Sequence, residues 1–185
     1  TGTNELPVQV AVVNGLAPGG VFIDVGANVG FFSLLAARVV GPTGSVHAIE
    51  PVPANARQIE INAGANKFDT VTVVEAAASS SAGTTTLLLA EHPGGAVVAS
   101  VGTPPDPAGS VEVRTVTVDE LVMTGAVRPP TLIKIDVEGA EVEALEGMVE
   151  TLREHRPIVV CEVDGSDDSA LATRRSQVVA LLQQN

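Results

Sequence analysis

Four carboxylates crowd into residues 131–145, TLIKIDVEGAEVEAL, and the first two follow directly on an apolar run. These two are Asp136 and Glu138. Charged side chains are rarely buried unless they are paired or used in chemistry. A carboxylate at the end of a buried strand can contact a ligand or accept a proton, and burial raises its pKa toward a useful value. The other two, Glu141 and Glu143, are expected at solvated helix positions.

Further acidic groups and a glycine-rich turn come earlier in the chain. Residues 21–25, VFIDV, indicate a short buried strand with Asp24 at its end, and the turn GANVG follows from Gly26 to Gly30. Glycines in such a turn let the backbone approach a ligand closely. Glu50 ends the next strand, twenty residues after Gly30, where an acid suits the two hydroxyls of a ribose. These groups favour a nucleoside site over a plain strand-turn-helix.

The turn departs from the pattern that binds dinucleotides. A dinucleotide fingerprint reads GxGxxG, whereas here Asn28 takes the place of the second glycine and Gly30 comes one residue early. The acid Asp24 would also repel a pyrophosphate and suits a cationic ligand instead. S-adenosylmethionine carries an ammonium, a sulfonium and a ribose but no phosphate. The sequence therefore favours S-adenosylmethionine over NAD as the cofactor.

The elements that must position these groups alternate between strand and helix. This order predicts a Rossmann-like, doubly wound α/β fold with a mainly parallel sheet and helices on both faces. The alternation of strands and helices is interrupted near residues 84–121. This part of the sequence predicts a β-hairpin insertion with a long Gly- and Pro-rich loop and a strand over residues 110–122. One amphipathic helix is predicted over residues 140–156. Residues 1–185 are expected to form one domain, trimmed at one or both ends.

Composition excludes several classes of partner. The net charge of −12 makes a phosphate backbone an unsuitable partner, and 2% aromatic content provides no stacking platform for nucleic acid. Nothing in this sequence resembles a signal peptide, and no apolar run approaches membrane length, so we expect a cytoplasmic protein without a membrane partner. The lone cysteine, Cys161, is expected to be a small buried residue. A homodimer is left open.

Three segments of the chain resemble the FkbM-type methyltransferases, a branch of the class I S-adenosylmethionine-dependent enzymes. They are FIDVGANVGFFSLLAA, HAIEPVPANARQIEIN and, most specifically, LIKIDVEGAEVEALEGM, and the resemblance runs over residues 21–163. It implies a Rossmann-like sheet and methylation of a hydroxyl on a small molecule, often a sugar or a polyketide-type product. The superfamily usually closes its sheet with an antiparallel hairpin after PIVVCEV, and that hairpin is not found here.

The resemblance also implies positions for the cofactor. Its methionine part would be held by Asp24, Gly26, Ala27, Asn28 and Gly30. Its ribose would lie at Glu50 beside Pro51, and its adenine beside Glu75, Ala76 and Ala77. Many class I enzymes have an aspartate where Ala76 falls, which leaves the adenine amino group to Glu75 or to the backbone.

The same resemblance frames the candidates for catalysis. Asp136 is the first candidate for cofactor contact or proton acceptance, and Glu138 is the second. Glu138 has an alternative role as a cap of the helix that starts near Ala140. His92, in the Gly-rich loop, is a third candidate base. Lys134 is expected to pair with a neighbouring acid.

A divalent metal ion is considered but not expected. Asp136 and Glu162 provide half of an oxygen-ligand site suited to Mg²⁺, and no third ligand is evident from the sequence. His47 is expected to pack within its strand. Two other functions are kept as alternatives: a cofactor-binding domain without turnover, and a Rossmann oxidoreductase, which the absence of tyrosine disfavours.

Overall fold

The computed structural model describes residues 5–90, 96–104, 106–165 and 167–185. A short 3-10 helix, Gly41–Thr43, follows the second α-helix. The helices and strands, in chain order, are α1 Leu6–Gly15, β1 Val21–Val25, α2 Phe31–Val40, β2 Ser45–Ile49, α3 Pro53–Asn66, β3 Val71–Val74, β4 Ala77–Ala78, β5 Gly83–Ala90, β6 Ala96–Val98, β7 Pro107–Val116, α4 Val118–Met123, β8 Leu132–Ile135, α5 Glu141–Glu146, α6 Val149–His155, β9 Ile158–Cys161 and α7 Asp168–Gln184.

The larger sheet is parallel throughout, with the strand order β3-β2-β1-β8-β9. Val25 is in register with Ile49 of β2 and with Ile135 of β8. The residues that follow these strands therefore meet at one edge of the sheet, which we call the carboxyl edge. Ligands of open α/β sheets bind at this edge. The predicted doubly wound, mainly parallel sheet is confirmed.

Alternate residues of the strands pack against helices on opposite faces. Phe22, Val46 and Leu132 pack with α1 and α2. Ile23 and Ile133, on the other face, pack with α4, α5, α6 and α7. Burying an aliphatic or phenyl side chain of this size contributes about 1.5–3 kcal/mol. The central strands β1 and β8 are buried on both faces because helices cover both.

The insertion forms a second sheet with the strand order β4-β7-β5-β6. Strand β5 is antiparallel to both of its neighbours, and the short β4 is parallel to β7. The predicted hairpin is thus present within a larger mixed sheet. The predicted strand over residues 110–122 stops earlier, because α4 begins after Thr117. The hydroxyl of Thr117 accepts a hydrogen bond from Glu120 N at 3.0 Å, which caps the helix.

Two helical features differ from the sequence predictions. The single helix predicted over residues 140–156 is divided into α5 and α6 at Gly147. A Cβ at Gly147 would collide with the carbonyl of Ser79, so the close approach of the second sheet requires glycine there. Helix α1 was not predicted, since LPVQVAVVNG is apolar and β-branched without a clear helical period. Within the described ranges, no helix has the length and apolar character needed to cross a membrane.

Candidate functional site

Two adjoining cavities open at the carboxyl edge of the parallel sheet, and both are lined by Gly26, Asn28 and Asp136. The first cavity continues along Glu50 and Pro51 to the second sheet. The second cavity continues under α1 and along the start of α2. Because three residues line both, the two cavities are direct neighbours.

Glu50 is buried beside the first cavity, with 4% of its surface exposed. Its Oε2 accepts a hydrogen bond from Asn28 N at 2.8 Å, and its Oε1 accepts from Val52 N at 2.9 Å and from Asn55 Nδ2 at 3.3 Å. Burial raises the pKa of Glu50, although these donors oppose the effect. A carboxylate offers about four acceptor positions, so Glu50 retains capacity for a hydroxyl ligand.

The turn after β1 is shaped by contacts with β2 and β8. Gly26 has φ +78°, and a Cβ there would collide with the backbone carbonyl of Asp136. The amides of Gly26 and Ala27 donate to the carbonyl of Ile49 at 3.0 and 3.2 Å. Asn28 adopts φ +51°, a left-handed conformation that asparagine tolerates. The turn therefore needs glycine for contact between strands as well as for ligand approach.

Asp24 lies within β1 and lines neither cavity. Its Oδ2 accepts a hydrogen bond from Ser33 Oγ at 2.6 Å, while its Oδ1 lacks a hydrogen-bond partner among the described residues. Burial raises the pKa of Asp24, and Lys134 opposes that shift. The structure thus places Asp24 behind the turn, where it supports α2 and Lys134.

Lys134 is a buried cation at the wall of the second cavity. Its Nζ lies 2.8 Å from Asp136 Oδ2, 3.9 Å from Asp24 Oδ1 and 4.8 Å from the centre of the Phe32 ring. Burial lowers the pKa of Lys134, but the two carboxylates together raise it further, so its pKa lies above the ordinary value and the ammonium is retained. The predicted pairing of Lys134 with a neighbouring acid is confirmed.

The segment 136–140, which we call the site loop, carries both predicted catalytic acids. Asp136 and Glu138 both line the first cavity. Glu138 has φ +48° and Gly139 has φ +97°. Helix α5 begins after Ala140, whose own side chain cannot cap it, and the capping role of Glu138 stays a prediction.

Glu141 contradicts the prediction that it is solvated, because its side chain is completely buried. Its Oε1 accepts a hydrogen bond from Gly139 N at 2.7 Å, and burial raises its pKa. Glu143 is half-buried. The helical period alone does not show that α7 covers this end of α5.

The three residues predicted to lie beside the adenine have different surroundings. Ala77 lines the first cavity, whereas Ala76 is buried behind it and Glu75 is exposed, with its carbonyl accepting from Arg114. The cavity is instead closed by apolar residues of the second sheet, which the sequence analysis did not find because nothing local shows that this sheet folds onto the site. These residues are Leu87, Ala96 and Val98, next to Ala78.

The remaining predicted site residues have varied positions. Pro51 lines the first cavity and Ala27 lines the second. Gly30 has φ +88° at the start of α2 and packs against Ile59. His92 lies outside the described residues. The second cavity also includes residues that the sequence analysis missed, namely Glu5, Gln9, Val29, Phe31 and Phe32.

Carboxylates surround the outer side of Asp136. One carboxylate oxygen from each of Glu5, Asp136 and Glu162 lies within 4.8 Å of the others. Glu5 thus adds an acid to the pair considered from the sequence. Exposed acids of this kind are common without a metal ion, and Asp136 is already paired with Lys134. Whether a metal takes part stays a prediction.

Two other residues match their predicted packing roles. Cys161 is half-buried at the end of β9, and burial raises the pKa of its thiol to about 12, which makes it a poor nucleophile. His47 is buried within β2, and burial lowers its pKa to about 4 with the help of nearby Arg128. Neither residue lines the two cavities.

Comparisons with known proteins agree with the fold and the motifs. Hexuronic acid methyltransferase AglP of Haloferax volcanii is 42% identical over 52 residues, which are 28% of this chain and 22% of that protein. A methyltransferase FkbM from Methylobacillus flagellatus superposes with a TM-score of 0.62 and 19% identity, covering 89% of this chain and 37% of the other. Fibrillarin of Aeropyrum pernix, solved with natively bound S-adenosyl-L-methionine, gives a TM-score of 0.55 and 10% identity, covering 96% of this chain and 64% of fibrillarin.

The match to a family model is much more extensive. The model of the methyltransferase FkbM domain matches residues 24–184, which run from the last two residues of β1 through α7 and include every described residue of the site except Glu5 and Gln9. The chain spans 22% of the curated relative and 37% of the FkbM chain described above. The resemblance inferred from the three sequence segments is confirmed: this chain belongs to the methyltransferase FkbM domain family.

Proposed function

We propose that this domain binds S-adenosylmethionine and transfers its methyl group to a hydroxyl of a small metabolite, such as a sugar or a polyketide-type product. The observation that carries the proposal is the pair of cavities joined at Asp136, with the buried carboxylate of Glu50 beside the first one. Family membership supports the reaction class, and the acceptor class rests on the resemblance alone.

The first cavity fits the adenosine part of the cofactor. Glu50 is held in place by three donors directly after β2, where its remaining acceptor position can take a hydrogen bond from a ribose hydroxyl. The apolar side chains of Leu87 and Val98 line this cavity from the second sheet, where they would contact an adenine ring. The flat, apolar faces of a purine suit such a wall, and the backbone supplies polar contacts at its edge.

The second cavity fits the methionine part. It contains the carboxylates of Glu5 and Asp136 and one ammonium, that of Lys134. Lys134 is already paired with Asp136 and lies near Asp24. The excess of carboxylates attracts the positive sulfonium and ammonium of the cofactor. An NAD pyrophosphate would be repelled by the same charges.

The chain's own residues then have two tasks in the reaction. S-adenosylmethionine, when bound, supplies a methyl group on a sulfonium, which is already a good electrophile. The site loop holds Asp136 and Glu138 at the first cavity, where either carboxylate can take the proton of an acceptor hydroxyl. The cavity walls align the acceptor for in-line attack and exclude water. His92 stays a third candidate base.

Known proteins support this proposal at different levels. The relative from Haloferax volcanii is named for hexuronic acid, which is a sugar derivative. The fibrillarin neighbour contains bound S-adenosyl-L-methionine. Both features come to this chain only by inference, because the first match is short and the second shares the fold at low identity.

Calorimetric titration tests the cofactor first. S-adenosylhomocysteine and NAD are titrated into the wild type, into Glu50→Ala, and into Glu60→Ala, an exposed glutamate on α3 that serves as a control. We expect micromolar binding of S-adenosylhomocysteine by the wild type and the control, loss of binding in Glu50→Ala, and no comparable binding of NAD.

The acceptor is then sought with radiolabelled methyl donor and a panel of neutral sugars, uronic acids and hydroxylated polyketides. Label transfer to a hydroxyl supports the full proposal. Cofactor binding without transfer to any acceptor would favour a cofactor-binding domain without turnover. Preferential binding of NAD would overturn the proposal.

A further inference from the structure

The site loop lies between two parts of the chain that line neither cavity. One is the segment of residues 99–104, which follows strand β6, and the other is helix α7. A Cβ placed on Gly139 would lie 2.8 Å from Val101 Cγ1 and 3.0 Å from Arg174 Nη1. Both distances are too short for ordinary packing. The guanidinium of Arg174 therefore covers the space beside Gly139 that any other residue's side chain would need.

The same arginine accompanies a buried carboxylate. Glu141 is completely buried, and its Oε2 has no hydrogen-bond partner in the part of the chain that the structure describes. Arg174 Nε lies 3.5 Å from this oxygen and is the cation that compensates it. An isolated buried carboxylate is strongly unfavourable, so Glu141 depends on Arg174 for its place at the start of α5.

Arg174 also reaches the segment that follows β9. Its Nη1 donates a hydrogen bond to the carbonyl of Asp164. The other carboxylate oxygen of Glu141 accepts from Gly139 N at 2.7 Å. One side chain of α7 thus connects the segment after β9, the first residue of α5 and, through Glu141, the backbone of the site loop.

Glu138, next to Gly139, has a conformation that needs such support. Its φ of +48° is in the left-handed region, which is unfavourable for a non-glycine residue. Neighbouring structure must hold a residue there. Since Glu138 lines the first cavity, the contacts that fix Gly139 also fix the direction of a candidate catalytic carboxylate.

We propose that Arg174 is a positioning residue, which acts through Glu141 and Gly139 to hold the site loop, and Glu138 with it, in the conformation that faces the cofactor cavity. The consequence for cofactor binding rests on the function proposed above. The arrangement of the loop itself does not, because it follows from contacts within the chain.

A purely structural role for Arg174 predicts something different. If the arginine only joins α7 to α5, its removal lowers the stability of the whole domain and leaves the site loop unchanged in the folded molecules. If it positions the loop, its removal alters the loop and the cofactor affinity even at temperatures well below unfolding. The two roles are therefore separated by measurements on folded protein.

The test compares Arg174→Met with Arg175→Met, which removes the exposed arginine next to it on α7. Hydrogen exchange is measured for the peptide that covers residues 136–145, and the affinity for S-adenosylhomocysteine is measured by calorimetry. We expect at least tenfold faster exchange of the Gly139 amide and about tenfold weaker binding in Arg174→Met. Arg175→Met should match the wild type in both. Wild-type exchange and affinity in folded Arg174→Met would overturn the proposal.

A second variant covers the case in which Arg174→Met does not fold. Arg174→Met combined with Glu141→Gln removes both charges of the ion pair and keeps an acceptor for Gly139 N. We expect this double variant to regain a melting temperature near that of the wild type and to keep the weak binding and faster exchange. Full recovery of binding and exchange would show that Arg174 only neutralises Glu141, and the positioning role would be wrong.

Failure of the proposed function gives a different result. If wild-type protein binds no S-adenosylhomocysteine, the cofactor assignment fails, and the exchange rates alone decide whether Arg174 holds the loop.

Discussion

Lys134 and Asp24 are direct neighbours in the parallel register of β8 and β1, and the ammonium of Lys134 lies 3.9 Å from a carboxylate oxygen of Asp24 that has no other described partner. The same ammonium lies 2.8 Å from Asp136. One buried cation therefore compensates two acids, one behind the glycine turn and one in front of it. The back of the site and its cavity wall are linked through this side chain.

Replacement of Lys134 by methionine should destabilise the protein strongly. Breaking a buried ion pair by removing one partner typically costs about 3–5 kcal/mol, because the remaining charge is uncompensated. Urea denaturation measures the change, with Lys67→Met, at an exposed position, as the control. The double variant Lys134→Met, Asp24→Asn should recover part of the stability but not the affinity for S-adenosylhomocysteine. Unchanged stability in Lys134→Met would contradict the compensating role.

Gly26→Ala should destabilise the protein much more than the same substitution at another glycine with a similar φ. Gly26 and Gly125 have φ of +78° and +75°, but a Cβ collides with the Asp136 carbonyl at Gly26 and meets nothing within 4 Å at Gly125. We expect Gly125→Ala to lose about 1 kcal/mol for its positive φ, and Gly26→Ala to lose at least about 1–3 kcal/mol more. Equal losses in urea denaturation would show that the turn does not depend on the contact with β8.

His47 should make stability depend on pH below neutrality. Its pKa is about 4 in the folded protein and 6.5 in the unfolded chain, so the unfolded chain binds the extra proton between these values. The contribution of His47 is complete above pH 6.5 and is lost as the pH falls toward 4. Relative to His47→Leu, which does not titrate, the wild type should lose roughly 3 kcal/mol of unfolding free energy across this window.

The wild type must be compared with His47→Leu because the pKa values of buried acids shift in the opposite direction to the pKa of His47. Burial raises the pKa values of Asp24, Glu50 and Glu141, and such groups favour the folded state as the pH falls. These contributions cancel when the wild type is compared with His47→Leu. A constant difference in unfolding free energy between pH 4 and 8 would show that His47 is accessible to protons in the folded state.

Removal of divalent metal should leave cofactor binding unchanged. Lys134 already places a positive charge beside Asp136, the acid shared by both cavities. We therefore expect the same affinity for S-adenosylhomocysteine in EDTA and in millimolar Mg²⁺. In the acid-to-amide variant Glu5→Gln, the affinity for S-adenosylhomocysteine should likewise be the same in EDTA and in Mg²⁺. An affinity that needs Mg²⁺ and is lowered in Glu5→Gln would instead assign a metal site to Glu5, Asp136 and Glu162.

Much of the fold and half of the site follow from local pattern. Strand β1 was predicted with its observed bounds because VFIDV is a short apolar run that ends at a glycine turn. Glu50 and Asp136 were found because the ends of parallel strands must meet at one edge. Such predictions succeed where the chemistry of a residue and its place in the element both depend on neighbours in sequence.

The missed features depend on contacts between distant segments. Leu87 and Val98 line the first cavity only because the second sheet folds over the carboxyl edge. Glu141 has the sequence context of a solvated helix residue and is buried because α7 covers it with Arg174. Asp24 lies one residue before the end of β1 and accepts a hydrogen bond from Ser33, a contact that the strand pattern did not indicate. Tertiary packing decides each of these, and a helical or strand period does not show it.

The three hydrogen bonds that hold Glu50 have a consequence for the kinetics of binding. Its carboxylate is oriented by Asn28, Val52 and Asn55 of the chain itself, so a nucleoside meets an acceptor that needs no conformational search. Preorganisation of this kind reduces the entropy lost on association. Entry past the second sheet would then determine the association rate constant, and changes at Glu50 would mainly shorten the residence time of the bound nucleoside.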